Sequence, residues 1–290
     1  MTGPLEAVLR DVAGFAAEAR IFLVGGAVRD LLAGRAIRDV DLVVASDGTS
    51  GFPARLGALP GWRPLAAHGR FGTATFSSPA GLRVDAALAR KESYPSPGAL
   101  PVVEAGASVE EDLARRDFTV HAMAMEVDPR GGLGPVIDPF GGQADVAGRR
   151  LRLLHSRSLG DDPTRAFRAV RYECRLGFRV MEPSFSDALA LSRESGAWAL
   201  ISGDRLRNSM EEVLAEDGWG EAVARLGSMG VLALVVNGWE APPRSVSPAD
   251  AGLGSRWKAA IAALPPGLKK EVATRLNFSR KLRREAGAAA

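Results

Sequence analysis

The sequence predicts an α+β fold, with a mixed β-sheet in the first half of the chain and helices in the second. Segments with strand periodicity and glycine turns occupy about the first 150 of the 290 residues, whereas apolar residues at helical spacing dominate afterwards. The composition is 46% hydrophobic and 24% charged, which is typical of a globular protein. A chain of this length can form one large domain or two smaller ones.

The first half alternates short helices with short strands. Apolar residues recur at helical spacing from Leu5 to Ala16 and predict an amphipathic helix. The run IFLV at 21–24 predicts a buried strand, which a glycine turn connects to a helix over Ala27–Ala33. Further strands are predicted over Asp39–Val44, Arg70–Phe76, Leu82–Leu88 and Val120–Val127.

The second half follows a turn-rich stretch at 138–142 and is predicted to be all-α. The stretch at 238–247 is the best linker candidate within it. Helices are predicted over Asp162–Leu176, Pro183–Leu191, Gly203–Leu214, Trp219–Val236 and Asp250–Leu264.

Charge is distributed unevenly along the chain. The 37 Lys and Arg exceed the 34 Asp and Glu by three, but residues 149–179 hold nine Arg against three acids. Such a basic stretch suits a polyphosphate or an RNA backbone, and a solvated helix face is the alternative.

Cysteine and histidine usage argue against a disulfide framework or a zinc site. Cys174 is the single cysteine, and the three histidines are widely separated. The N-terminal segment lacks an uninterrupted apolar run, and no segment is long and apolar enough to span a membrane. We therefore expect a cytoplasmic protein.

The strongest chemical signal is the turn GGAVRD at 25–30 followed by DVD at 39–41. Gly25 and Gly26 allow the backbone to approach phosphate oxygens, and the following helix N-terminus offers free N–H groups. The pattern matches neither GxGxxG nor the P-loop. Asp39 and Asp41 project to one face of a strand, where they can share Mg²⁺ ions, although paired Asp residues often only end a strand.

Two further segments carry candidate residues of the same site. Asp85 faces opposite to its apolar neighbours and could supply a third carboxylate, with a surface Asp as the equal alternative. Arg116 and Asp117 offer donors and acceptors for a ribose and a phosphate. For this pair, the residues alone favour an ordinary salt-bridged turn.

The segment DDPTR at 161–165 opens a predicted helix. Asp162 is placed to cap that helix, and Phe167, Val170 and Cys174 are predicted to form its buried face. Arg165 and Arg168 share the opposite face, with Asp162 at its edge. Cytosine and adenine present an amino donor beside a ring-nitrogen acceptor, so an Asp that accepts and an Arg that donates would select C and A over U and G.

Five ordered motifs give the chain its resemblance to a known family. GGAVRD with DVD, RKESYPSPGALP, EEDLARRDFTVHA, DPFGG and DDPTRAFRAVRYECRLGF together resemble the class II tRNA nucleotidyltransferases, which comprise the CCA-adding enzymes and bacterial poly(A) polymerases. The similarity runs from about Ile21 to about Phe178. It implies a polymerase-β-type head at 1–150, a helical neck at 151–215 and a helical body at 216–290 with a short or missing tail.

The resemblance also implies roles for individual residues. Asp39 and Asp41 would hold two Mg²⁺ ions, and Asp85, which the residues themselves suggested, is the candidate for a third catalytic carboxylate. Residues 90–101 would form a loop linked to the final A addition, and Asp204 with Arg205 would lie in a neck motif. The nucleotide would be bound by Gly25, Gly26, Arg29, Arg116, Asp117, Asp162, Arg165, Arg168 and Arg171.

The implied function is template-independent transfer of CMP and AMP from CTP and ATP to the 3′ end of tRNA. The resemblance leaves open whether CCA, CC only or A only is added. It also leaves open a homodimer and, if the activity is split, a second nucleotidyltransferase as partner. The alternatives are a poly(A) polymerase and a non-catalytic RNA- or nucleotide-binding relative. A phosphohydrolase domain of the HD type is excluded because no His-Asp dipeptide occurs.

Three positions depart from the family pattern. His121 stands where Asn is usual, Asp161 replaces Glu, and Gly203 precedes Asp204-Arg205 where a Glu-Arg pair is usual. The first change lies beside the predicted ribose-binding pair.

Overall fold

The computed structural model describes residues 3–45, 51–68, 73–240 and 252–288. The chain divides into two compact units, Met1–Ser93 with Pro101–Leu154, and Tyr94–Leu100 with His155–Ala290. The mixed sheet and the many helices confirm the α+β class. The limits of head, neck and body stay predictions.

A mixed sheet organises the first unit. The strands of the first unit are β1 (Arg20–Val24), β2 (Asp39–Ala45), β3 (Arg63–His68), β4 (Thr73–Ser77), β5 (Arg83–Leu88), β6 (Arg90–Ser93), β7 (Val102–Ala105), β8 (Ala124–Val127), β9 (Leu133–Ile137) and β10 (Arg150–Leu151). Among the described residues, seven strands form one sheet in the order β3, β4, β5, β2, β1, β8, β9. The pair β2 and β5 is parallel, and the other neighbours are antiparallel.

Short helices accompany this sheet. They are α1 (Gly3–Ala16), α2 (Gly26–Leu32), α3 (Phe52–Gly57), α4 (Val109–Ala114) and α5 (Gly142–Ala147). The predicted amphipathic pattern of α1 is confirmed because Leu5, Val8, Leu9 and Val12 are buried. At the start of α4, Ser108 and Glu111 form a reciprocal capping box.

The strands β3, β6, β7, β9 and β10 were not predicted from the sequence. The strands that were predicted agree with the observed ones except at two places. The segment predicted as a strand over Val120–Val127 becomes β8 only at Ala124, because Thr119–His121 forms a 3₁₀ turn. The strand predicted over Arg70–Phe76 is observed as β4 from Thr73, and residues 69–72 lie outside the described residues.

The second unit is helical apart from the two-residue strand β11 (Arg179–Val180). Its central helices pack in pairs, α7 against α10 and α11. The helices are α6 (Ser158–Asp161), α7 (Thr164–Leu176), α8 (Ser184–Glu194), α9 (Ala197–Leu200), α10 (Gly203–Leu214), α11 (Trp219–Ser228), α12 (Val231–Val235), α13 (Leu253–Ala260), α14 (Pro266–Arg275) and α15 (Arg280–Glu285).

The helix predictions for this unit need three corrections. The segment Trp219–Val236 is two helices because the chain turns at Gly230, whose φ is +76°. The helix α7 begins at Thr164, not at Asp162. Cys174, predicted in the buried face of α7, is exposed.

Two predicted segments fall partly outside the described residues. These are the linker candidate at 238–247 and the start of the helix predicted at 250–264, since residues 241–251 are not described. Within the described ranges, the helices are too short or too polar to cross a membrane.

We expect Gly203 at the start of α10 to be required for packing of the second unit. An added Cβ there would overlap the carbonyl oxygen of Arg275, whereas a Cβ at Gly267 in α14 would meet no atom within 4 Å. Gly203→Ala should therefore lower the free energy of unfolding by about 1–3 kcal/mol. The matched variant Gly267→Ala should be neutral or stabilising by up to about 1 kcal/mol. Urea unfolding measures both, and equal effects would contradict this account.

Candidate active site

The turn between β1 and α2 brings the backbone against two charged side chains. Gly25 has φ +68° and ψ −127°, a conformation that favours glycine. A Cβ at Gly25 would lie 2.7 Å from Arg116 Nη1 and 3.4 Å from Asp41 Oδ2, whereas one at Gly26 would make only ordinary contacts. Gly25 is therefore required by a close approach as well as by its φ angle.

Three carboxylates gather on β2 and β5. Because side chains alternate along a strand, Asp39 and Asp41 lie on one face of β2. The parallel register pairs Asp41 with Asp85. The structure thus brings Asp85 beside the predicted metal-binding pair, as the sequence suggested. Its catalytic role stays a prediction.

The surroundings of Asp41 disfavour the charged form of its carboxylate. Burial raises the pKa of Asp41 above its usual value, and the carboxylates of Asp85 and Asp39 raise it further. The guanidinium groups of Arg116 and Arg29 act in the opposite direction. The charged form of Asp41 is therefore disfavoured, mainly by burial, and a cation beside it would stabilise that form.

Hydrogen bonds hold Asp85 in place. Thr75 Oγ1 donates to Asp85 Oδ1, and Arg83 Nε donates to Asp85 Oδ2 at 3.3 Å. Thr75 lies opposite Asp85 on β4, so its contribution depends on the pairing of β4 with β5. Sequence reasoning missed Thr75 because that pairing is not visible in the chain itself.

The donor set suits Mg²⁺ as the partner of a bound nucleotide. Mg²⁺ prefers one or two carboxylates together with substrate phosphates and water. Over the described ranges, no group of three or more His, Cys, Asp or Glu side chains is arranged to hold an ion without further ligands. Asp39 and Asp41 are thus chemically fit to hold Mg²⁺ when phosphate oxygens complete its coordination.

Arg116 is held beside Asp41 by a residue that sequence reasoning missed. Its Nη2 donates to the fully buried Asp112 at 2.9 Å, and its Nη1 donates to the carbonyl oxygen of His121 at 3.3 Å. Arg116 Nε is buried and has no hydrogen-bond partner among the described residues. The spacing i, i+4 in EEDLARRD was the available signal for Asp112.

Asp112 also orders its surroundings. Its Oδ1 accepts from Arg115 at 2.8 and 2.9 Å and from the backbone N–H of Arg90 at 3.3 Å. Burial by itself raises the pKa of Asp112, but Arg116 and Arg115 more than offset this, and the pKa lies below its usual value. A charged Asp112 therefore fixes two guanidinium groups at once.

Arg29 and Asp117 are buried next to His121. Arg29 is 7% exposed, and its guanidinium donates to both oxygens of Asp30 at 2.9 Å. Arg29 Nη1 and His121 Nε2 are 2.6 Å apart, and His121 Nδ1 lies 3.0 Å from Asp117 Oδ1. All of these contacts of Arg29 and Asp117 are made to other side chains of the protein. The predicted nucleotide-binding roles of Arg29 and Asp117 stay predictions.

The predicted base-reading residues of the second unit have protein partners. Asp162 Oδ1 accepts from Thr164 N at 3.0 Å and from Thr164 Oγ1 at 2.7 Å, which is the capping contact expected from the sequence. It also accepts from Arg205 Nη2 at 2.9 Å. Arg205 in turn donates to the carbonyl oxygen of Gly98 at 2.7 Å.

Arg165 was expected on the exposed face of α7, and this placement is wrong. Arg165 is 6% exposed because its Nη1 donates to Ser158 Oγ at 2.6 Å and its Nη2 donates to Tyr94 Oη at 3.3 Å. Tyr94 belongs to the segment predicted as a loop over 90–101. This segment begins with strand β6 and is followed directly by strand β7. The base-reading role of Arg165 stays a prediction.

The remaining two arginines of α7 differ in their surroundings. Arg168 is exposed and donates to Tyr172 Oη at 3.3 Å. Arg171 is paired with Glu212 and, at 3.1 Å, with Glu216. Part of the basic stretch is therefore neutralised within the unit. A nucleotide-binding role for Arg168 and Arg171 stays a prediction.

Comparison with known proteins identifies the class of protein to which this fold belongs. A family model described as the poly A polymerase head domain matches residues 21–152. A solved structure described as a CCA-adding enzyme in an apo form superposes with a TM-score of 0.80 at 30% identity, covering 99% of this chain and 71% of that one. A complex of a CCA-adding enzyme with CTP gives 0.78 at 29% identity, covering 99% and 70%.

Two curated relatives agree with this assignment. An A-adding tRNA nucleotidyltransferase of Geobacter sulfurreducens is 38% identical over 234 residues, covering 80% of this chain and 26% of the relative. A CC-adding tRNA nucleotidyltransferase of Deinococcus radiodurans is 37% identical over 210 residues, covering 70% and 54%. The chain belongs to the family of tRNA nucleotidyltransferases and poly(A) polymerases. It spans about a quarter to a half of the length of the first curated relatives.

We expect Asp112 to stabilise the protein in a pH-dependent way. Asp112→Asn should lower the free energy of unfolding by about 3 kcal/mol at neutral pH, because the guanidinium groups of Arg115 and Arg116 lose their buried counter-charge. The pKa of Asp112 is lowered in the folded state, so its contribution is present above the unfolded pKa of about 3.9 and is lost as pH falls through the folded pKa.

Denaturant unfolding over a pH series measures this difference. The gap between the wild type and Asp112→Asn should narrow below about pH 4. The exposed neighbour Glu110 supplies the matched control Glu110→Gln, which should show a small and nearly constant difference. A gap for Asp112→Asn that does not change with pH would show that its charge is not responsible.

Proposed function

We propose that this protein transfers nucleoside monophosphates from CTP and ATP to the 3′ end of tRNA, adding CCA or part of it. The observation that carries the proposal is the grouping of Asp39, Asp41 and Asp85 on two parallel strands, next to the glycine turn and Arg116. Family membership supports the same reaction, since the relatives are named for adding A or CC to tRNA. Because tRNA is the acceptor, the proposed compartment is the cytoplasm.

The proposed reaction is an in-line displacement at the α-phosphorus. The 3′ oxygen of the RNA forms a bond to phosphorus, the bond to the bridging oxygen breaks, and pyrophosphate leaves while the proton of the 3′-OH passes to a carboxylate or to water. Mg²⁺ held by Asp39 and Asp41 would supply the Lewis acid that favours attack and departure. Gly25 would admit a phosphate close to the backbone, where Arg116 Nη1 and Asp41 Oδ2 both approach it.

Base selection is proposed to depend on Asp162 and Arg165. A carboxylate that accepts from the exocyclic amino group and a guanidinium that donates to the ring nitrogen together suit cytosine and adenine. Asp162 is held by Thr164 and Arg205, so its acceptor oxygen has a defined orientation before a base arrives. Arg168, which is exposed on the same helix, adds positive charge there, whereas the charge of Arg171 is offset by Glu212 and Glu216.

A poly(A) polymerase is the second candidate. The family model that matches residues 21–152 is described as the poly A polymerase head domain, and this match supports the second candidate as well as the first. A split activity would require a second nucleotidyltransferase to supply the missing nucleotides, and a homodimer is compatible with either activity.

Product lengths test the proposal directly. The protein, with Mg²⁺, is given tRNA transcripts that end at the discriminator base, at C or at CC, with CTP and ATP supplied singly and together. Growth of all three to CCA establishes the full activity, whereas CC alone or the last A alone establishes a partial one. Long A tails favour the poly(A) polymerase. The absence of any product overturns the proposal in favour of binding without catalysis.

We expect Asp39→Asn and Asp41→Asn to lose at least about 10³-fold in incorporation, because each removes a metal-binding carboxylate. Binding of tRNA, measured by filter retention, should change little. Glu104→Gln is the matched control, since Glu104 is an exposed acid on β7 of the same unit. Loss of tRNA binding with normal incorporation from bound tRNA would contradict these roles.

We expect Asp162→Asn to relax base choice. The amide keeps an oxygen for Thr164 N but adds a donor that matches the keto groups of U and G. Misincorporation of UMP should rise relative to CMP by about tenfold, within the ~1–3 kcal/mol of one base contact. Asp161→Asn is the adjacent control. Unchanged selectivity in Asp162→Asn would overturn the base-reading role.

A further inference from the structure

A buried chain of hydrogen bonds links the helix after the glycine turn to the predicted ribose-binding pair. It runs from Asp30 through Arg29 and His121 to Asp117. His121 is 6% exposed and Asp117 is 4% exposed. The contacts cross from α2 to the 3₁₀ turn, which are far apart in sequence but adjacent in the fold.

The chemistry of the partners determines which ring nitrogen of His121 carries the proton. A guanidinium group has only donors, so His121 Nε2, at 2.6 Å from Arg29 Nη1, must accept. His121 Nδ1 then carries the hydrogen and donates to Asp117 Oδ1 at 3.0 Å. The imidazole is therefore neutral and oriented by a donor on one side and an acceptor on the other.

The backbone of His121 is tied to the same site. Its carbonyl oxygen accepts from Arg116 Nη1, and two residues later the carbonyl oxygen of Met123 accepts from Gly25 N at 3.1 Å. Phe118 N donates to Asp117 Oδ1 at 2.8 Å, so this oxygen is shared between the backbone and the imidazole. A change in His121 thus reaches Arg29, Asp117 and Arg116 together.

We propose that His121 is a positioning residue that aligns Arg116 and Asp117 for the ribose of the incoming nucleotide. This rests on the proposed function. Without the imidazole, Asp117 loses one donor to its carboxylate, and Arg29 Nη1 loses the ring nitrogen as an acceptor. The ribose-binding pair is then less ordered, which weakens nucleotide binding and reduces discrimination against a 2′-deoxyribose, while the carboxylates of β2 and β5 are unaffected.

Two substitutions separate hydrogen bonding from packing. His121→Asn keeps one donor and one acceptor on a shorter side chain, whereas His121→Leu fills the space without either. His155→Asn is the matched control, because His155 is an exposed histidine of the second unit. Thermal unfolding confirms that each variant is folded before it is assayed.

The steady-state test compares ATP with dATP on tRNA that ends in CC. For His121→Leu we expect KM for ATP to rise about tenfold and the preference for ATP over dATP to fall by a similar factor, with kcat within about threefold. His121→Asn should recover most of both losses, and His155→Asn should match the wild type. Equal losses for ATP and dATP, or no recovery with Asn in a folded protein, would overturn the proposal.

Two measurements do not require transfer to tRNA. Calorimetric binding of ATP and dATP with Mg²⁺ should show the same loss of preference in His121→Leu. In ¹⁵N spectra of the histidine rings, the resonances that disappear in His121→Asn should be those of a neutral ring protonated at Nδ1. A ring protonated at Nε2, a charged ring, or wild-type protein that binds neither nucleotide would overturn the proposal. If nucleotides bind as expected but no tRNA is extended, the proposed function fails and this inference stands.

Discussion

The electrostatic balance at Asp41 is the constraint on which the rest of the site depends. Burial and two neighbouring carboxylates make its charge unfavourable, and Arg116 is the strongest opposing charge. The guanidinium of Arg116 is held by the carboxylate of Asp112 and by the carbonyl oxygen of His121. The positive charge of Arg116 compensates part of the unfavourable charge of Asp41, and a bound cation would stabilise the charged carboxylate further.

The single parallel strand pair among the described strands has a specific consequence. It aligns Asp41 of β2 with Asp85 of β5 in the register, while β4 adds Thr75 as a donor to Asp85. The glycine turn after β1 brings the backbone to the same end of β2, since Val24 pairs with Asp41. Four neighbouring strands, in the order β4, β5, β2 and β1, therefore supply the hydrogen-bond donor to Asp85, the carboxylates and the open backbone.

In the second unit, arginine side chains of the basic helix α7 bind other groups of the protein. Arg165 is buried against Ser158 and Tyr94, and Arg171 is paired with Glu212 and Glu216. A count of charges along the sequence therefore overstates the positive charge that is available to RNA or nucleotides. Arg168, which is exposed on α7, contributes more directly to the surface of the helix.

Local patterns in the sequence were sufficient to predict the helix Gly203–Leu214, the glycine turn and the shared face of Asp39 and Asp41. Periodicity and backbone freedom are properties of short segments, so these features can be predicted from the sequence. The motifs were also sufficient to indicate the family. Only the tertiary structure decided that Thr75 donates to Asp85, that His121 joins Arg29 to Asp117, and that Arg165 is buried. Each of these depends on which distant segments meet and on how much water they exclude, and no local pattern encodes that.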